Sequence, residues 1–274
     1  MIIPQVCRVL ALGAVLLAQP ALAALPAEPC PMSGDANGTS PDLGHVAAVL
    51  HGAKKLEVLA VGSATMFGPE ASLAAGTVTS QVLGNGVAAD TGKILTQPPS
   101  ERAFPLQMAK NLRTLFPGTE VQVSVRGGRG LLATEMLDLL RKELTLKQYD
   151  LVIWQTGTVE AVRNLPPSEF GQTLSDGAQA VQEAGGDLIL VDPQFSRFLQ
   201  TNSNLDPYLQ ALQQVSAMPG VVLFHRFDLM RGWANDGGID LERTSRSDRQ
   251  KAIETLHSCL GRHLARLVAA SARS

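Results

Sequence analysis

Short apolar runs alternate along the chain with longer segments in which apolar residues recur every three or four positions. A nearly continuous apolar run is typical of a strand buried on both faces, whereas the wider spacing is typical of an amphipathic helix. The predicted strands cover residues 56–62, 120–125, 149–157, 187–192 and 220–226. The second run alternates polar and apolar residues, and the others are nearly all apolar.

Helical patterns fill the intervals between these runs and follow the last of them. The predicted helices cover residues 104–116, 131–144, 168–185, 206–218 and 247–268. We expect Ser247 to cap the last helix. The apolar positions of that helix fall on one face: Ile253, Leu256, Leu260, Leu264 and Leu267. Strands and helices alternating at this spacing predict an α/β fold, a doubly wound three-layer α/β/α sandwich with a five-stranded parallel sheet.

One irregular segment, residues 69–102, is rich in Gly, Thr and Ser and is predicted to be an insertion. A loop of this length within a compact domain is often functional and is otherwise disordered. In a doubly wound sheet, ligands bind beyond the carboxyl ends of the strands. The segments expected at that edge are residues 62–68, 126–130, 157–162, 192–195 and 225–236.

The first residues have the pattern of an export signal. Residues 1–23 hold an early arginine, an apolar run and a final Ala-Leu-Ala, which is the order of a secretory signal peptide. A membrane anchor is the alternative, although Gln19-Pro20 interrupts the run. We expect cleavage after Ala23, a periplasmic or secreted protein, a loose leader over residues 24–41, and a single domain over residues 42–274. No other apolar stretch is long enough to span a bilayer.

Composition and charge narrow the classes of partner. The formal net charge is −2 and no basic cluster stands out, which argues against nucleic acid as a partner. The five histidines are scattered without the spacing of metal ligands, so no metal or other cofactor is expected. An apolar fraction of 45% fits a globular protein with a sizeable core.

Export changes how the cysteines are interpreted. Cys7 leaves with the signal peptide, so Cys30 and Cys259 remain near the two ends of the mature chain. In an oxidising compartment they predict one disulfide that joins the chain ends. The alternative is a pair of unrelated buried thiols.

Four segments carry a resemblance to a known family. They are VLAVGSATMFG from Val58, VRGGRGLLATEML from Val125, DLVIWQTGTVEAV from Asp150 and DLMRGWANDGGID from Asp228. In this order they resemble the sequence blocks of the SGNH (GDSL-type) hydrolases, and the resemblance runs from Glu57 to the end of the chain. It implies a flavodoxin-like sandwich and the chemistry of secreted esterases and carbohydrate deacetylases, which use a Ser-His-Asp triad.

The catalytic positions of that family are not filled as the resemblance requires. Aligning Gly62 with the first-block glycine places Ser63 at the aspartate position and Ala64 at the nucleophile position. In the second block, Gly127, or less readily Gly128, can still supply the oxyanion N–H. An alanine side chain offers no nucleophile, so the covalent route is lost.

The remaining blocks are altered as well. Gly157 matches the third-block glycine, while Val159 stands where the family has an oxyanion asparagine, with Glu160 beside it. Loss of one such donor alone costs about a hundredfold to a thousandfold in rate. In the last block Asp236 matches the aspartate, which places Ile239 at the histidine position.

Two functions follow from these substitutions. The first is a non-catalytic binding or accessory protein that keeps a cleft for a small acyl or glycan ligand. The alternative is an active ester hydrolase or deacetylase that uses Ser63 or Thr65 as nucleophile and His225, at the end of the fifth strand run, as a displaced base. Ser63 can instead hydrogen-bond within the turn, and His225 can be a packed or surface residue. A third possibility is a filled cleft on a scaffold protein, because a fold does not define a function.

The other candidate side chains have structural explanations. His257 and His263 lie on the last predicted helix and are expected to face solvent or the packing surface of that helix. Asp192 and Asp228 are expected to be capping or loop carboxylates.

Overall fold

A computed structural model describes Cys30 and residues 42–52, 54–74 and 93–272 of the chain. The strands are β1 (Lys55–Ser63), β2 (Lys93–Ile94), β3 (Glu120–Arg129), β4 (Leu151–Gln155), β5 (Asp187–Val191) and β6 (Val221–Phe224). The helices are α1 (Gly44–Gly52), α2 (Pro69–Ala74), α3 (Phe104–Leu115), α4 (Ala133–Leu146), α5 (Thr158–Arg163), α6 (Pro167–Glu183), α7 (Arg197–Asn202), α8 (Asp206–Val215), α9 (Arg226–Asn235) and α10 (Arg249–Ser271).

The strands form one sheet in the order β2-β3-β1-β4-β5-β6. The last five strands of this order pair in parallel, which confirms the predicted parallel sheet. The edge strand β2 is antiparallel to β3 and was not predicted. Because β2 has two residues, both exposed, it carries no periodic signal. It lies with α2 in the segment predicted as an insertion, of which residues 75–92 fall outside the described residues.

Helices cover both faces of the sheet, as predicted. On one face α10 packs against α1 and α3, and on the other α6 packs against α4 and α8. Every residue of β4 and β5 is buried, because these central strands have a helix layer above and below them. The nearly continuous apolar runs in the sequence have this physical cause.

The start of α10 differs from the prediction. The helix begins at Arg249 with Asp248 as its N-cap residue, so the predicted cap at Ser247 is wrong. Ser247 Oγ lies 2.8 Å from Ser245 Oγ, and it is Ser245 Oγ that accepts a hydrogen bond from the Asp248 N–H. The two serines therefore stabilise the turn before the helix. The predicted apolar face is confirmed: Ile253, Leu256, Leu260 and Leu264 are buried and Leu267 packs against the core.

Cys30 and Cys259 form a disulfide with a Cα–Cα distance of 5.5 Å, which confirms the predicted bond. Both cysteines are buried, and Cys259 lies in α10. The predicted signal peptide and, apart from Cys30, the predicted leader lie outside the described residues. Within the described ranges, none of the helices combines the length and apolar character that a membrane span needs.

Candidate functional site

The chain turns sharply where β1 ends. Gly62 packs so closely that an added Cβ would lie 2.9 Å from both Gln155 Cβ and Met66 Cγ. Beyond it, Ala64–Phe67 form a short 3₁₀ turn. Ala64, at the position of the family nucleophile, is only 3% exposed. This position therefore presents a buried methyl group.

The two hydroxyls of the turn, Ser63 and Thr65, are held by Gln155 at the end of β4. Gln155 Nε2 donates to Ser63 Oγ at 2.8 Å, and Thr65 Oγ1 donates to Gln155 Oε1 at 2.8 Å. The two hydroxyl oxygens are 3.0 Å apart. Since the Thr65 proton is directed at Gln155, the Ser63 proton is the one that bridges to Thr65. The three side chains thus form a closed ring of hydrogen bonds.

This ring, which we call the Ser63–Thr65–Gln155 ring, contains no base. A hydroxyl becomes a nucleophile when an adjacent group takes its proton, and an amide does not accept one at neutral pH. A flipped Gln155 amide would reverse all three bonds and leave the ring closed. Gln155 is 4% exposed, so its polar atoms depend on this ring for hydrogen bonding. Sequence reasoning missed Gln155 because it belongs to an otherwise apolar strand run.

The second-block glycines bring backbones together. Gly127 has φ 142°, and a Cβ there would lie 1.8 Å from the carbonyl oxygen of Gly62. At Gly128 a Cβ would lie 1.9 Å from the carbonyl oxygen of Lys93. The Leu95 N–H donates to the Gly127 carbonyl at 2.9 Å. Close backbone packing therefore explains why glycine is needed at positions 127 and 128, whether or not either residue binds an oxyanion.

The third-block residues support helix ends. Gly157, with φ 95°, is the N-cap residue of α5, a conformation that favours glycine. Glu160 is buried, and its Oε1 accepts a hydrogen bond from the Ala133 N–H at 2.5 Å, at the start of α4. Burial raises the pKa of Glu160. Val159 supplies no hydrogen-bond donor, so the side-chain half of an oxyanion site is missing at this position.

The last block lies on the surface. Asp236 is exposed and is the C-cap residue of α9. Ile239, at the histidine position, packs against the core. The contacts of this loop come from Asp240 and Glu242: Arg197 Nη1 lies 2.8 Å from Asp240 Oδ2, and Ser196 Oγ donates to Glu242 Oε1 at 2.6 Å. These two contacts join the loop after α9 to the segment after β5.

The structure does not bring His225 to the β1 turn. His225 is exposed and follows β6, and the strands β4 and β5 lie between β6 and β1. Three strand spacings of roughly 4.8 Å separate the two ends by about 14 Å. That distance is far beyond the hydrogen-bond reach needed by a general base.

A serine–histidine contact does exist elsewhere, between Ser72 of α2 and His257 of α10. Ser72 Oγ lies 3.3 Å from His257 Nε2 and donates its own proton to the Gly68 carbonyl at 2.8 Å. His257 Nδ1 accepts a hydrogen bond from the Phe104 N–H at 3.1 Å. The imidazole proton is therefore on Nε2 and points at the serine, so His257 is a donor to Ser72 and not its base.

Electrostatics agree with this structural role. Burial, with a smaller contribution from the charge of Arg226, lowers the pKa of His257 to about 3. His263 packs against the Trp233 ring, and burial lowers its pKa to about 4. Both histidines thus belong to the packing surface of α10.

The two aspartates at the edge of β5 and β6 are structural as well. Asp192 Oδ1 accepts the Phe227 N–H at 2.7 Å and so caps α9, while Asp228 pairs with Arg231 at 2.7 Å. Burial raises the pKa of Asp192 to about 7. In the ranges that the structure covers, no group of three or more His, Cys, Asp and Glu side chains is arranged to hold a metal ion.

Known structures share this architecture. A lipase/acylhydrolase from Enterococcus faecalis superposes with a TM-score of 0.51 at 15% identity, over 77% of this chain and 96% of that one. The acetylxylan esterase Axe2 from Geobacillus stearothermophilus superposes with a TM-score of 0.52 at 12% identity, over 77% and 94% of the two chains. Among curated proteins, no sequence matches this chain.

The parallel sheet, its helix layers and the order of the blocks define an SGNH-type hydrolase fold. Residues 29–274 match the Non-GDSL lipase-like family. Because this match covers most of the chain, the protein belongs to that family.

Proposed function

We propose that this protein is an exported member of the Non-GDSL lipase-like family that binds an acyl or glycan ligand without hydrolysing it. The observation that carries the proposal is the β1 turn. Ala64 fills the nucleophile position, and the two neighbouring hydroxyls are held in the Ser63–Thr65–Gln155 ring with no base among its members. A protein with this fold but without the nucleophile can still bind a ligand at the carboxyl edge of the sheet, because function depends on the site and not on the fold.

Export to the periplasm or the exterior is supported by the signal-peptide pattern of residues 1–23. The Cys30–Cys259 disulfide is consistent with it, because structural disulfides persist in oxidising compartments. An acyl or glycan ligand is supported by the names of the structural neighbours, a lipase/acylhydrolase and an acetylxylan esterase.

An active hydrolase is the second candidate, because Ser63 and Thr65 are both partly exposed. In that mechanism His225 takes the proton of the attacking hydroxyl and later returns it to the leaving alcohol. To do so, its ring must move toward the β1 turn across the ends of β5 and β4, because about 14 Å separates the ends of β6 and β1. Because His225 is the N-cap residue of α9, such a movement would also displace the start of that helix.

The test is hydrolysis of 4-nitrophenyl acetate by the purified mature protein. Wild type is measured beside Ser63→Ala, Thr65→Ala and His225→Ala, with Ser72→Ala as a matched control for loss of a hydroxyl elsewhere. The proposal expects every rate to equal that of the buffer blank. Saturable hydrolysis by the wild type overturns it. If that activity is lost in His225→Ala and in one turn variant but kept in Ser72→Ala, the second candidate is correct.

A further inference from the structure

A cleft of about 860 Å³ opens at the carboxyl ends of β5 and β6, on the same edge of the sheet as the β1 turn but separated from it by β4. Asp192, Leu223 and His225, at the ends of β5 and β6, line it together with α8, the segment that leads into α8, and the first turns of α9. Its volume is in the range of about 300–1,000 Å³ that is common for ligand sites. None of the residues of the β1 turn lines this cleft, so the interpretation of that turn assigns the cleft no function.

Five carboxamide side chains line the cleft, and they are Gln200, Asn202, Asn204, Gln210 and Gln213. Asn202 donates to the Phe198 carbonyl at 2.8 Å, and Gln213 donates to Ser216 at 3.4 Å. The side-chain amides of the other three are exposed and make no hydrogen bond to any described residue. Their donors and acceptors are therefore available to a ligand.

The charges of the cleft do not favour an anion. Arg231 donates to Asp228 at 2.7 Å, and its guanidinium also lies 5.5 Å from the centre of the Phe227 ring. Asp206 adds an exposed carboxylate to the lining, and Asp192 adds a buried carboxyl group. Arg231 is the one Lys or Arg among the described residues that line the cleft, and it is already paired, so a ligand that carries a carboxylate or phosphate would find no free Lys or Arg side chain there.

The apolar floor is also unsuited to an acyl chain. Leu223 and Phe227 are 9% and 5% exposed, because the core covers most of each side chain. Little apolar surface remains to be buried by a ligand, and burial of apolar surface is what drives binding of hydrocarbon. The same argument disfavours a peptide with apolar anchor residues.

We propose that this amide-lined cleft binds an uncharged polyhydroxylated ligand, namely a segment of neutral polysaccharide. Each carboxamide offers a donor and an acceptor in one plane, and each sugar hydroxyl both donates and accepts, so adjacent hydroxyls can pair with one amide. The inference deepens the proposed function by giving its glycan ligand a location. It does not depend on whether the β1 turn is catalytic.

The test is saturation-transfer difference NMR followed by isothermal calorimetry with four probes. Xylohexaose and cellohexaose are the neutral glycans, tetragalacturonate is the anionic glycan, and octanoate is the acyl chain. The variant Asn204→Ala/Gln210→Ala removes two available amides. Gln179→Ala, an exposed amide on α6 outside the cleft, is the matched control.

We expect saturable binding of at least one neutral hexaose, about tenfold weaker or more in the double variant and unchanged in Gln179→Ala. Circular dichroism of the double variant checks that it is folded. Failure of both neutral probes to bind overturns the inference, as does binding that the double variant leaves intact or a preference for tetragalacturonate or octanoate. Hydrolysis of 4-nitrophenyl acetate would overturn the non-catalytic proposal alone, so the two failures are distinguishable.

Discussion

If the Ser63–Thr65–Gln155 ring is structural, Thr65 and Gln155 should be energetically coupled. We consider Thr65→Val and Gln155→Leu, which replace each polar group by an apolar group of similar shape. Thr65→Val leaves the buried Gln155 carbonyl without its donor at 2.8 Å. Gln155→Leu leaves the Thr65 hydroxyl without its acceptor. The double variant removes both ends of this bond together, and Ser63, which loses both of its ring partners, is partly exposed and can bond to water.

The expected energies follow from this asymmetry. A buried polar group left without its partner costs about 1–3 kcal/mol, whereas removal of both partners costs much less. Because Gln155 is 4% exposed, water does not readily replace the lost donor. The double variant should therefore be more stable than the sum of the single effects predicts, with a coupling energy of about 1–2 kcal/mol.

The measurement is the free energy of unfolding in urea for wild type, both single variants and the double variant. Thr65→Val combined with Gln179→Leu is the matched control, since Gln179 is exposed on α6. That pair should be additive within about 0.5 kcal/mol. Additivity at Thr65 and Gln155 as well would refute the claim that the ring holds these hydroxyls.

Three further predictions concern stability. Replacing Cys30 and Cys259 together by serine removes a disulfide that spans 229 positions. The free energy of unfolding in urea should fall by roughly 2–5 kcal/mol. Dithiothreitol should lower the free energy of unfolding of the wild type but not that of the variant. Gly127→Ala places a Cβ 1.8 Å from the Gly62 carbonyl oxygen. Thermal unfolding should therefore show that the free energy of unfolding falls by about 3 kcal/mol or more. Gly171→Ala on α6, where there is space for a Cβ, is the control and should change the free energy of unfolding little. Burial raises the pKa of Asp192 to about 7. The folded protein therefore keeps a proton on Asp192 that the unfolded chain releases near pH 4. Because of this difference, the free energy of unfolding should fall as the pH rises from about 4 to about 7. Asp192→Asn should match wild type at pH 4 and exceed it at pH 8; parallel pH profiles of the urea midpoint would contradict this.

The sequence predicted the central strands well because burial on both faces leaves a local signal, a run of apolar residues. The prediction for β3 stopped at Val125, whereas the strand continues to Arg129. The missing part contains Gly127 and Gly128, whose role is close backbone approach. Small residues of this kind carry no hydrophobic pattern, so neither this extension nor the pairing with β2 could be read from periodicity.

The candidate site was predictable only where block order fixes a position. Ala64 and Gly157 could be located by their place after β1 and β4. The role of Gln155 could not be predicted in this way. Its partners Ser63 and Thr65 are 92 and 90 positions away, and no local sequence pattern indicates the contact. The distance from His225 to the turn depends on the order of strands in the sheet, which the order of strands in the chain does not give.

The Cys30–Cys259 bond has a consequence for how the protein comes apart. Terminal segments usually detach first and give proteases their entry points. Here the covalent bond joins the segment before α1 to the middle of α10, and His51 at the end of α1 lies 2.7 Å from the Ala272 carbonyl beyond α10. While the disulfide is intact, the segment at Cys30 therefore stays attached to α10 even when α1 opens. A cut between Cys30 and α1 therefore releases no fragment until the bond is reduced, so limited proteolysis of the oxidised protein should leave this segment attached.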